Sequence, residues 1–108
     1  MDLSESLVAH AALAAKLAHR VPKVLNHPAI RRRHLECLAR FLIQRAVATD
    51  ELLVEMELRG ADRTTVRAVQ SVQQLWSSVI QLVESRLEEE DAAVVQAPSQ
   101  RTRLEASA

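Results

Sequence analysis

Apolar residues recur along most of this chain at intervals of three and four, the spacing that places them on one face of an α-helix. Leu3, Leu7, Ala14, Leu17 and Val21 form the first such stripe. It predicts a helix from about Leu3 to Arg20, with Asp2 and Glu5 at capping-box spacing and Pro22 ending or kinking it. Six alanines between Ala9 and Ala18 keep this helix thin and allow a neighbour to approach closely. The segment "NHPAI" then reads as a helix start, with Asn26 or His27 as cap and Pro28 in the first turn.

The second helix carries Leu35, Leu38, Leu42, Leu52 and Met56 toward Gly60. Gly60 is the only glycine and follows an apolar-periodic run, as a left-handed helix C-cap does. Thr49 and Asp50 are both good caps, so a break there is a competing reading. Asp62 is placed to cap a third helix reaching about Asp91. One seam of that helix is Val66, Val69, Gln73, Trp76, Ile80, Val83 and Leu87; beside it runs Ala68, Val72, Leu75, Val79 and Leu82. Two adjacent seams make a face wide enough for two neighbouring helices. After Ala92 the periodicity is lost, and 92–108 is expected to be a loose tail beyond a single domain, 1–91.

The fold class expected is therefore all-α: an antiparallel helical hairpin plus a shorter N-terminal helix, a three-helix bundle completed by oligomerisation. Composition agrees. Ala, Leu, Val, Glu, Arg and Gln dominate, while Phe41 and Trp76 are the only aromatics. The turn at Gly60-Ala61 sets a register in which facing residues of the two long helices have positions summing to about 121. Leu38 then meets Val83, Leu42 meets Val79, and Leu52 meets Val69.

Charge changes this picture in one place. The formal net charge is zero, so no global field draws nucleic acid or an anionic membrane. Residues 1–48 nonetheless carry +5 and the remainder −5. The register sets Arg31, Arg32 and Arg33 beside Glu88, Glu89, Glu90 and Asp91, Glu36 near Arg86, and Glu55 near Arg67. A charge clamp is the first reading of "RRRH", ahead of an anion site. Cations at a helix N-terminus and anions at a C-terminus each oppose the macrodipole, and side by side they offset one another.

Catalytic and metal chemistry find little support. His34 and Cys37 lie one helical turn apart, but a structural zinc site needs four ligands. Cys37 is expected as a small buried thiol, and it has no cysteine partner for a disulfide. His19 in "AHRVPK" lacks the small neighbours of a phosphorelay histidine, and one glycine cannot build a phosphate loop. No cofactor, metal or small-molecule substrate is implied. The acidic start "MDLSES" lacks the basic n-region of a secretory signal, and no run of 18 apolar residues occurs. A cytoplasmic setting is the expectation.

Two features point to a protein partner or a homo-oligomer. A first helix of about 18 residues, roughly 27 Å long, covers the second only to about Ala46. Val47, Leu53, Val54 and Leu58 are then left at the hairpin tip. The third helix also has no charged residue from Ala68 to Val83, and its outward positions are Gln70, Gln74, Ser77, Ser78 and Gln81. Charge depletion of this kind marks interface cores. Trp76 is expected in the core, with Arg45 against its face. The expected function is a non-catalytic helical interaction module: an adaptor, small subunit or helical chaperone. The competing reading is a nucleic-acid-associated regulator using Arg20, Arg31, Arg32, Arg33 and Arg40, without the aromatics or wide basic face such proteins show.

Overall fold

A computed structural model describes the backbone of residues 2–107 and the side chains of residues 2–93. Three helices follow in order: α1 (Leu3–Leu25), α2 (Arg32–Leu58) and α3 (Arg63–Ser107). The expected tail, 92–108, falls almost wholly outside the described side chains, and the backbone of α3 continues helically to Ser107.

The turn between α2 and α3 follows from two residues. Gly60 has φ +74°, the left-handed conformation. Around it the Ala61 N–H donates to the Met56 carbonyl at 2.9 Å and the Gly60 N–H to the Glu57 carbonyl at 3.1 Å. Those two bonds are the Schellman pair that satisfies the last carbonyls of a helix. Ala61 packs against the cluster containing Met56, which supplies the accompanying apolar contact. Asp62 then starts α3: its Oδ1 accepts the Thr65 N–H at 2.7 Å, and that bond holds the carboxyl below its ordinary range. The hairpin register is as the spacing predicts. Leu42, Val79 and Val83 share one buried cluster with Leu38 against it, and Leu52, Met56 and Val69 form a second near the turn.

Several boundaries differ from expectation. α1 does not stop before Pro22 but contains it and runs to Leu25. Pro22 is exposed, so water can take the carbonyl that the ring leaves unbonded. The Asp2 side chain makes no capping bond; its carbonyl accepts the Ser6 N–H instead. "NHPAI" belongs to the connection rather than to α2. There His27 Nδ1 accepts the Ala29 N–H at 3.1 Å. α2 begins one turn later, where His34 Nδ1 accepts the Arg31 N–H at 3.1 Å. α2 is unbroken at Thr49-Asp50, because the Thr49 side chain is spent on the core rather than on a cap.

These shifts lengthen α1 and shorten α2, so α1 reaches the tip instead of ending near Ala46. Leu3 and Leu7 pack on the Leu52, Met56 and Val69 cluster, while Leu25 and Ile30 close the other end. α1 is thus antiparallel to α2 and parallel to α3. It leans mainly on α3 and touches α2 lightly. The α1-facing edge of α2 stays open in consequence. Cys37 is exposed there, not buried as expected, and Phe41 is 42% exposed.

Candidate interaction surface

One polar site is built into the core. Thr49 is fully buried. Its hydroxyl lies 3.0 Å from the Arg45 carbonyl, 2.9 Å from Trp76 Nε1 and 2.8 Å from His10 Nδ1. A hydroxyl has one proton and two lone pairs. The indole N–H can only donate, and the carbonyl can only accept. The hydroxyl therefore donates to Arg45 and accepts from Trp76, and its second lone pair is left for His10. This network assigns the proton of neutral His10 to Nδ1. One hydroxyl so ties α1, α2 and α3 together. Burial first, and the nearby Arg45 cation second, push the His10 pKa below its ordinary value. Arg45 does not lie on Trp76: its guanidinium carbon is 6.0 Å from the centre of the Phe41 ring, and its buried Nε has no hydrogen-bond partner among the described residues. Trp76 needs its N–H near Thr49 and is enclosed, which leaves exposed Phe41 as the ring available to the cation.

The arginine cluster divides. Arg32 pairs with Asp91 across the hairpin and with Glu36 at 2.9 Å along its own helix. Arg86 bonds Glu90 at 3.2 Å and Glu89 at 3.6 Å, and Arg59 bonds Glu55 at 3.6 Å. The expected Glu36–Arg86 and Glu55–Arg67 pairs are thus replaced by partners one turn away on the same helix. Such pairs form without ordering side chains from two helices. Among the described residues, Arg31, Arg33 and Glu88 make no ion pair. The clamp is a single arginine, Arg32.

On the outside of the hairpin, Val47, Val54 and Leu58 line one shallow groove with Asp50, Glu51 and Glu55. They are 49%, 56% and 82% exposed. Ile43, 45% exposed, extends the stripe one turn toward the base; its spacing of four, seven and four to Val47, Val54 and Leu58 was the signal for it. Leu53 belongs elsewhere, half-buried against the Leu52 and Met56 cluster. Gln70, Gln74, Ser77 and Ser78 line a second shallow groove with Gln73, and Gln81 is exposed one turn further on. Gln73 Nε2 donates to Asp50 Oδ1 at 2.8 Å, joining the α2 stripe to the α3 face. α1 occupies the other side of the hairpin. Its Leu3, Ser6 and His10 line a shallow groove with Ala48, Leu52 and Arg59 of α2, and Leu25 lines another with Leu82 and Arg86 of α3.

Among the described residues no group of three or more His, Cys, Asp or Glu is placed to hold a metal ion, and no helix is long and apolar enough to cross a membrane. No protein-family model matches this chain, nor does any curated protein or solved structure.

Proposed function

We propose that this chain is a non-catalytic α-helical protein–protein interaction module, an adaptor, small subunit or helical chaperone working in the cytoplasm. It binds itself or a partner through the α2 and α3 faces near the hairpin tip. The observation that carries this is the exposed stripe Ile43, Val47, Val54 and Leu58 beside an α3 face with no charge from Ala68 to Val83. Contiguous exposed apolar surface of this kind usually marks an interface. A neutral Gln/Ser border can be dehydrated at less cost than a charged one. Photo-crosslinking in cells tests it. A benzophenone amino acid at Val54 should give discrete protein adducts that the same group at exposed Ser4 of α1 does not; equal or absent adducts at both sites would end this reading.

A second reading rests on Arg31 and Arg33, exposed and without an ion pair among the described residues. With Arg20 and Arg40 they could hold a nucleic-acid backbone. Duplex binding that weakens with salt and disappears in Arg31→Glu/Arg33→Glu would favour it. Binding unchanged by those substitutions would exclude this site.

A further inference from the structure

The side of the hairpin that α1 leaves open has a charge arrangement that selects its occupant. On α2 the outward stripe is Ile43, Val47, Asp50, Val54 and Leu58, with Glu51 and Glu57 beside it; Glu51, Glu57 and the four apolar residues are exposed. On α3 the outward positions, three or four apart, are Arg63, Arg67, Gln70, Gln74, Ser77 and Gln81, all exposed. The basic end of the α3 stripe and the acidic end of the α2 stripe therefore both lie at the tip. Among the described residues, Glu51, Glu57, Arg63 and Arg67 make no ion pair within the chain.

We propose that this face binds a second copy of the chain, related by a two-fold axis running parallel to the hairpin helices. The inference rests on the interaction-module reading and names its partner. Such an axis keeps tip beside tip and sets α2 of one protomer against α3 of the other, antiparallel. The hairpin register then holds between chains as it does within one. Val47 faces Gln74 of the second copy, Ile43 faces Ser78, and Val54 faces Arg67. The apolar α2 stripe covers the aliphatic stems of Gln and Arg side chains. Asp50 meets Gln and Ser, which can donate to it. Arg67 and Arg63 stand within a turn of Glu51 and Glu57, which make no ion pair among the described residues. The alternative axis, perpendicular to the helices, would bring α2 against α2 and place Asp50 and Glu51 opposite their own copies, a like-charge contact. Closed two-fold symmetry repeats each favourable contact twice and leaves no surface to propagate.

Sedimentation equilibrium of the full chain across a concentration series is the measurement. The wild type should approach twice the 12.0 kDa monomer mass. Arg63→Glu/Arg67→Glu should weaken the dimer at least about ten-fold, while far-UV circular dichroism stays unchanged because both sites are exposed. Adding Glu51→Arg/Glu57→Arg to that variant reverses both ends of every contact and should restore the wild-type dissociation constant. A wild type that remains monomeric at about 1 mM, or a dimer indifferent to the double reversal, or no restoration in the quadruple variant, overturns the proposal. A monomeric wild type that still forms Val54 adducts with another protein overturns only the second-copy assignment and leaves the interaction-module reading standing.

Discussion

Thr49→Val is the substitution that probes the core most directly. Valine keeps the shape of threonine and replaces the hydroxyl with a methyl, so packing is conserved and only the polar node is lost. Trp76 is fully buried, and among the described residues its Nε1–H donates only to the Thr49 hydroxyl. A buried donor left unpaired costs about 1–3 kcal/mol. His10 is half-buried and can turn to water, so its share is small. The Arg45 carbonyl remains available to the helix ladder. The expected loss is therefore about 1–3 kcal/mol out of roughly 5–16 kcal/mol for a chain of this length. Thr49→Ser separates the two halves of the side chain: it keeps the hydroxyl and deletes one methyl, at about 1 kcal/mol. The decisive comparison is a double-mutant cycle with Trp76→Phe, followed by urea unfolding at 222 nm because that variant has no tryptophan. In the Trp76→Phe background the donor is gone, and Thr49→Val should cost less than about 0.5 kcal/mol. An equal cost in both backgrounds would refute the node as the link between the helices.

The remaining expectations concern the same elements. His10 has a folded-state pKa below its ordinary value, so the unfolded chain binds that proton more readily. Its contribution is complete above about pH 6.5 and is lost as pH falls from there toward the folded-state value; thermal melts should show this loss in the wild type and less of it in His10→Gln. Gly60→Ala should destabilise by about 1–2 kcal/mol in chemical denaturation. Among the described residues, no atom beyond Gly60 and its two chain neighbours lies within 4 Å of the added methyl, so the cost is one of backbone conformation, and Gly60→Asn should recover part of it. Cys37 is exposed and should react with a thiol reagent in the native protein at close to the unfolded rate; protection would place it under another surface. Arg32→Ala breaks the only interhelical ion pair among the described residues, but both partners are about half exposed, so a change beyond about 1 kcal/mol would contradict the minor role given to it.

The helix class, the glycine turn and the hairpin register were legible because each depends on short-range chemistry. Apolar periodicity selects helix, one left-handed residue ends it, and Asp62 restarts it. Once the turn is placed, Leu42 and Val79 have no choice of neighbour. The exposure of Val47, Val54 and Leu58 at the tip was legible for the same reason, since a single helix cannot bury residues on every side.

What the tertiary structure decided are matters of competition between partners. Arg32 found Asp91, but Arg86 and Glu36 bonded within their own helices, because local pairs order fewer side chains. Leu53 left the predicted interface for the core, while Ile43 joined the exposed stripe. Cys37 and Phe41 became exposed because α1 settled on α3 rather than on α2, and no pattern within a single helix records that choice. Thr49 is the clearest case. By type it is a helix cap or a break, and in isolation nothing distinguishes the two. Enclosed by three helices, its hydroxyl is worth more as the partner of Trp76 and His10 than as a cap, and α2 runs through it unbroken.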